Sequence, residues 1–265
     1  LAAVSRLERL WASDGEGDYR FRDSVGALTE GLASELTVCT EWEAARIERV
    51  PGGVRVLATD GRQVSARRVV VAVPVAVLRD GRPIFDPPLR EEKVAAIRSI
   101  RTLRALKIVL ESACRPWGEE PDVVHSVICG AGELIPELWL RPSAGRWLVS
   151  GFATGSYADC LAAMPASKAT DAFVSQCERV LPDAPDLGRA LLRSEIVDWG
   201  SDRHFAGGYS SPSFDEASTP NARAVYREVE WEGRLHFAGE ATQESYMTMS
   251  AALESGVRVA TEAAT

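Results

Sequence analysis

The sequence predicts a mixed α/β chain, and three observations predict it. Val69-Val70-Val71-Ala72-Val73 is a continuous, largely β-branched run ended by Pro74, the pattern of a strand buried on both faces. Residues 44–50 and 54–58 read as strands of a small antiparallel meander, because Pro51-Gly52-Gly53 and Asp60-Gly61 supply its turns. Residues 235–238 read as a short buried strand that stops at Gly239. From Thr248 onward Met249, Ala252, Leu253, Gly256, Val257, Ala260 and Ala264 recur at helical spacing, with Thr248 or Ser250 as N-cap.

Taken in order, residues 1–10 carry Arg6, Glu8 and Arg9 among apolar positions, which fits an amphipathic helix and not a secretory signal. Residues 18–36 read as a loop entering a helix: Asp23 or Ser24 caps it, and Val25, Leu28, Leu32 and Leu36 form its apolar face. A strand is expected at residues 36–40. In residues 100–111, Leu103, Ala105, Lys107 and Val109 alternate with Arg104, Leu106, Ile108 and Leu110, a strand apolar on both sides with one lysine inside. A buried ammonium is costly without a partner, so a lysine at a strand edge reaching solvent is the plain structural reading. Residues 139–152 form a hairpin about Pro142-Ser143-Ala144-Gly145. Residues 166–181 are amphipathic, with Ala169, Ala172, Phe173, Gln176 and Val180 on one face and Pro182 closing the helix. In Trp199-Gly200-Ser201-Asp202-Arg203-His204-Phe205-Ala206-Gly207-Gly208-Tyr209-Ser210, the glycines let the backbone turn tightly and present the Tyr209 ring.

Composition narrows the function. The 265 residues are 46% hydrophobic and 26% charged, ordinary for a globular protein, and no apolar run approaches a membrane span. A net charge of −8 argues against general nucleic-acid binding and leaves cationic small substrates electrostatically welcome. Five widely spaced cysteines without a C-x-x-C pattern suggest free thiols, and hence the cytoplasm or another reducing compartment. His125, His204 and His236 lie too far apart for paired-ligand spacing, so no metal site is expected. In the strand–acidic loop–helix near the end, a helix N-terminus offers free N–H groups to an electron-rich group, and Glu240 can accept hydrogen bonds from hydroxyls.

Phe237-Ala238-Gly239-Glu240-Ala241-Thr242, Tyr246, and Thr248-Met249-Ser250-Ala251-Ala252-Leu253-Glu254-Ser255-Gly256 together resemble the C-terminal flavin-binding signature of the flavin-containing amine oxidases. That family includes monoamine and polyamine oxidases, L-amino-acid oxidases and flavin-dependent histone demethylases. Ser65 to Leu78, Ile84-Phe85-Asp86-Pro87-Pro88-Leu89, and Lys93-Val94-Ala95-Ala96-Ile97 resemble the same family, as does the Trp199–Tyr209 loop. Departures lie at Ala251, at Arg22-Asp23-Ser24 in place of a Gly-Gly pair, and at Ala44 in place of a valine.

The resemblance implies FAD as cofactor, contacted by Pro74, Trp199, Tyr209, Gly239, Glu240, Met249 and Ser250. Lys107 would hold a water at the flavin, and Tyr209 and Tyr246 would form an aromatic cage for an amine. Gly208 stands where some members carry the cysteine that bonds the flavin, so FAD is expected to be non-covalent. Residues 18–78 and 225–265 would then be part of an FAD-binding, Rossmann-like domain, and residues 1–17 and 79–224 a substrate domain with a mixed or antiparallel sheet. The family's opening G-x-G-x-x-G segment is missing: Gly15-x-Gly17 and Gly130-x-Gly132 are turn glycines without the strand and helix that motif needs. A second chain carrying the dinucleotide-binding half, or a longer form of this chain, is expected to complete the enzyme. Amine or polyamine oxidation is the leading expectation. An L-amino-acid oxidase, with Arg104 or Arg141 facing a carboxylate, and a non-catalytic interaction module stand as alternatives.

Overall fold

The computed structural model describes residues 25–117, 125–130, 132–181, 184, 186–211 and 221–264. The expected helix at residues 1–10, the caps Asp23 and Ser24, Gly15-x-Gly17 and Pro182 lie outside them. Helix α1 (Gly26–Ala33) leads to the meander β1 (Ala44–Val50), β2 (Gly53–Ala58) and β3 (Gln63–Ala66), which is antiparallel throughout. Gly53 has no room for a side chain, since a Cβ there would lie 2.3 Å from the Ala66 carbonyl oxygen. Strand β4 (Val69–Val71) runs into helix α2 (Val75–Arg79), whose N-cap is Pro74. Strand β5 (Ile84–Asp86) adds in parallel to β1, giving the order β3-β2-β1-β5.

Helix α3 (Glu91–Ser99) and strand β6 (Arg101–Leu103) precede β7 (Ala105–Ser112), β8 (His125–Ile128), β9 (Glu137–Ser143) and β10 (Arg146–Thr154). The expected single strand over residues 100–111 is therefore two, broken at Arg104. Helices α4 (Ser156–Ala162), α5 (Ala166–Val180) and α6 (Leu187–Ala190) lead to β11 (Leu191–Asp198), which completes a sheet ordered β11-β7-β10-β9-β8. The β9–β10 turn falls at Ala144-Gly145, both at positive φ, inside the predicted hairpin. Strand β12 (Tyr209–Ser211) pairs with β6, and helix α7 (Ala222–Arg227) precedes β13 (Leu235–Phe237), which lies parallel to β4. A 3₁₀ turn at Glu240–Thr242 and helix α8 (Met249–Ala264) follow.

Two cores result. One joins the inner face of the five-stranded sheet (Leu106, Ile108, Leu110, Leu138, Leu140, Val149) to α5 through Phe173 and Cys177. A Cβ on Gly151 would come within 2.7 Å of the Phe173 ring, so this glycine sets how closely helix and sheet approach. The α5 face is built from Ala169, Thr170, Phe173, Val174, Gln176 and Cys177, with Ala172 and Val180 at its margin. Gln176 tolerates burial because its amide exchanges two hydrogen bonds with the backbone of Ile135, at 2.9 and 2.7 Å. The other core gathers Ile47, Val54, Val71, Leu78, Ile97, Tyr226, Trp231, Leu235 and Phe237. Inside it Lys93 is fully buried, and its ammonium donates to the carbonyls of Val225, Tyr226 and Glu228 at 3.0, 2.8 and 2.6 Å, closing the end of α7.

Several expectations are corrected. Residues 36–40 form no strand; Leu36 and Val38 are exposed and find no sheet edge among the described residues. The run at residues 69–73 is a strand only over Val69–Val71, and Val70 is 45% exposed, so one face is uncovered. Along α8 the small residues Ala251, Ser255 and Val259 face inward, whereas Met249, Leu253 and Val257 point outward, Val257 at 71% exposure. The helix docks by polar contacts: Ser255 Oγ accepts from Gly239 N–H at 2.8 Å, and Arg258 donates to the Phe237 carbonyl at 2.9 Å. The α1 face likewise stands open, with Val25, Leu32 and Leu36 all exposed. Among the described residues no helix is long and apolar enough to cross a membrane, and all five cysteines are free thiols.

Candidate active site

Strand alternation puts Lys107 on the face of the five-stranded sheet opposite the α5 core. Phe152 is paired with Lys107 on one side and Glu137 on the other, so these three residues form a row across β7, β10 and β9; Val109, Ser150 and Trp139 form the next. The Lys107 Nζ lies 4.8 Å from the Trp139 ring centroid and 5.7 Å from that of Phe152, and the two rings stack at 5.7 Å. Glu137 is held in place by Trp139 Nε1–H at 2.8 Å and the Ser126 hydroxyl at 3.3 Å. Burial pushes the Lys107 ammonium below the ordinary lysine pKa and the charge of Arg141 adds to this, while Glu137 opposes it. The expectation of apolar surroundings on both sides is thus half right: the core side is apolar, and the lysine's own side is aromatic and charged.

At the break at Arg104 the Tyr209 segment joins the chain next to β7. Leu103 O accepts from Gly208 N–H at 2.9 Å and Ala105 O from Trp199 N–H at 3.1 Å, so the Trp199–Tyr209 loop is stitched to the chain on both sides of Arg104. Tyr209 then pairs with Leu103, four residues from Lys107. Gly208 is required by contact, since a Cβ there would lie 2.4 Å from the Ala105 Cβ. Burial, and then the negative charge of Glu137, raise the Tyr209 phenol pKa, which places Glu137 within electrostatic reach of both Tyr209 and Lys107. Arg104 itself is not free to face a ligand carboxylate: it binds Asp198 through two hydrogen bonds of 3.0 and 2.5 Å and holds that carboxyl below its usual range. Arg141 is exposed on the lysine's face, four residues along β9 from Glu137.

The remaining predicted residues gather where the parallel strands β4 and β13 end, the edge of an open parallel sheet at which ligands bind. Pro74 is exposed just beyond β4. Gly239, at φ 112°, follows β13 with open space where a side chain would stand, and α8 opens on the exposed residues Met249 and Ser250. Thr248 is the cap, its hydroxyl accepting from Ala251 N–H at 3.1 Å. These residues suit a flavin edge: an exposed helix N-terminus for electron-rich oxygens, and a glycine that lets a flat ring lie against backbone.

Glu240 also has donors within the chain. Its carboxylate accepts from Ser210 N–H at 3.0 Å, the Ser210 hydroxyl at 2.7 Å and Met247 N–H at 2.9 Å, so it ties the residue after Tyr209 to the residue after Tyr246. The Tyr246 ring is covered on one face by Arg223, whose guanidinium carbon lies 3.7 Å from the ring centroid. Arg223 in turn donates to the Ser210 hydroxyl and the Ala241 carbonyl, each at 3.0 Å. Sequence reasoning missed Glu137, Arg223 and Lys93. Alternation in Glu137-Leu138-Trp139-Leu140-Arg141 carried a signal for the first; the other two are set by contacts between distant segments.

Comparison with known proteins gives one family. The model of flavin containing amine oxidoreductases matches residues 2–264. Polyamine oxidase 2 of Arabidopsis thaliana is 30% identical over 218 residues, covering 81% of this chain and 42% of that protein. Polyamine oxidase 4 of Oryza sativa subsp. japonica is 27% identical over 277 residues, covering 98% and 55%. A putrescine oxidase structure bound to putrescine superposes with a TM-score of 0.73 at 21% identity, over 89% of this chain and 51% of that one. The chain spans about half the length of the relatives it matches.

Proposed function

Since this chain belongs to the flavin containing amine oxidoreductases, we propose that it furnishes the amine-binding face and one wall of the flavin site of an FAD-dependent amine oxidase of the polyamine oxidase type. The observation that carries the reading is that Tyr209 pairs with Leu103, four residues from Lys107, and that Glu137 lies within electrostatic reach of both side chains, with Ser210 linked through Glu240 to the edge where β4 and β13 end. When bound, FAD supplies the two-electron acceptor that takes a hydride from the carbon beside the amine nitrogen, leaving an imine for water to hydrolyse. Pro74, Trp199, Tyr209, Gly239, Glu240, Met249 and Ser250 would line it. No side chain at Gly208 is available to bond it, which supports non-covalent binding.

Each protein group then has a task. Tyr209 and Tyr246 flank the amine, and stacked Trp139 and Phe152 line the approach and keep water out. Lys107, with its lowered pKa, hydrogen-bonds a water on that face. Glu137 gives the face a negative charge suited to a substrate with a second, protonated nitrogen. We take residues 18–78 and 225–265 as the flavin side and residues 1–17 and 79–224 as the substrate side. A dinucleotide-binding half, on a second polypeptide or a longer form of this one, completes the cofactor site; open apolar positions at Val70, Leu32 and Val257 support this.

Anaerobic titration of the flavin-loaded protein with a diamine and with L-amino acids tests the reading. Bleaching of the flavin bands by the diamine supports it. Faster bleaching by an L-amino acid would favour Arg141 as a carboxylate anchor, and no bleaching by either would leave the non-catalytic reading.

A further inference from the structure

We propose that Arg223 is a specificity-determining residue that makes the Tyr246 wall favour a neutral nitrogen over a cationic one. This rests on the reading of Tyr246 as a wall of the amine site. An aromatic face attracts a cation through its quadrupole. In this protein the quadrupole of Tyr246 is already engaged: the Arg223 guanidinium carbon lies over the ring, 3.7 Å from its centroid. It cannot swing away freely, because its hydrogen bonds to the Ser210 hydroxyl and the Ala241 carbonyl, both 3.0 Å, anchor it. A cation approaching the opposite face meets a ring polarised away from it and the repulsion of the fixed guanidinium behind, whereas a neutral amine meets only an apolar surface. The same contacts set the position of the wall. Arg223 bonds Ser210, the neighbour of Tyr209, and Glu240 joins Ser210 to Met247, the neighbour of Tyr246. One cation therefore sits behind the second ring and is tied to the strand that carries the first. Oxidation by hydride loss needs the nitrogen lone pair, so rejecting the ammonium at this ring selects the reactive form.

The test uses a cation and its neutral carbon isostere, choline and 3,3-dimethylbutan-1-ol, bound to the flavin-loaded protein and read by flavin spectral perturbation. In Arg223→Gln the affinity of choline relative to the alcohol should rise about 3- to 10-fold over wild type, the size of one cation–π contact released. Arg223→Lys, which keeps a positive charge but not the planar fork, should raise the ratio less than Arg223→Gln does. A ratio unchanged in Arg223→Gln, with both compounds weakened alike, would show a merely structural role and overturn the proposal. Should that variant fail to load flavin, Tyr246→Leu decides: with Arg223 in place, removing the ring should change the ratio by less than about twofold, and a selective loss of choline overturns the proposal. If neither compound perturbs the flavin and no amine reduces it, the amine-site reading falls and this proposal with it.

Discussion

Replacing Lys93 by methionine should destabilise the protein by about 2–5 kcal/mol. The fully buried ammonium donates to three carbonyls at the end of α7 and lies 4.3 Å from the Phe237 ring centroid. Methionine fills the same volume but removes that donor from three carbonyls, at about 1–3 kcal/mol each for Tyr226 and Glu228 and less for Val225, whose carbonyl keeps the Glu228 N–H at 3.3 Å. Against this, removing the charge recovers a desolvation cost: burial lowers the Lys93 pKa from 10.5 to about 8, with Arg90 adding to the fall and Glu230 and Glu228 opposing it. That difference corresponds to at most about 3 kcal/mol. Loss of the hydrogen bonds wins, and at about 2–4 °C per kcal/mol thermal unfolding followed by circular dichroism should fall by roughly 5–15 °C. The pH dependence gives a second, opposite signature. Because the folded pKa is below the unfolded one, the unfolded chain binds more protons between pH 8 and 10.5, and wild-type stability should gain a rising contribution across that window. Lys93→Met should lack it. An unchanged or raised Tm in the variant, or the same alkaline gain in both proteins, would refute this account of the buried lysine.

Other outcomes follow from contacts already described. Gly208→Cys should lower the Tm and should not trap flavin covalently, because its Cβ would meet the Ala105 Cβ at 2.4 Å; denaturing precipitation that retains flavin on the protein would contradict this. Arg104→Ala should cost about 1–3 kcal/mol in urea unfolding, since it removes both Arg104 hydrogen bonds from the partly buried Asp198 carboxylate and leaves it the Gly200 N–H. The Asp198 pKa is depressed, so the pair's contribution is full above the ordinary carboxylate range and lost as pH falls through the folded value; the variant should be less sensitive to acid in that range. Glu240→Ala should weaken flavin retention and raise the KM for amine together, because three hydrogen bonds that fix the segments after Tyr209 and Tyr246 are lost, whereas Glu240→Gln, keeping an acceptor, should lose less. Flavin content and KM unchanged in Glu240→Ala would count against it.

What the sequence revealed was whatever local pattern determines. Turn residues placed the meander and the β9–β10 hairpin, and the glycine-flanked Tyr209 and the cap Thr248 stand where local chemistry put them. What it hid depends on partners far along the chain. Lys93 looks like an ordinary helical lysine beside Ala96 and Ile97, and only the carbonyls 132 to 135 residues later make it a buried cap. Glu240 reads as an acceptor for a cofactor, and only the fold shows that Ser210 and Met247 also donate to it. The apolar positions of α8 and the run at Val69 to Val73 suggested burial, yet helix docking runs through Ser255 and Arg258, leaving Val70 and Val257 open. Periodicity reports that a face is apolar; it does not report what covers it.

Stopped-flow on the flavin-loaded protein, wild type against Lys107→Met, tests most directly whether this chain supplies an amine-oxidising face. Methionine suits the Trp139 and Phe152 rings, so fold and bound flavin should be retained. Anaerobic reduction by a diamine or reoxidation by O2 should slow by at least about tenfold, as expected for loss of a positioned proton-handling group. Rates equal to wild type in both half-reactions would contradict the central claim and remove Lys107 from the mechanism.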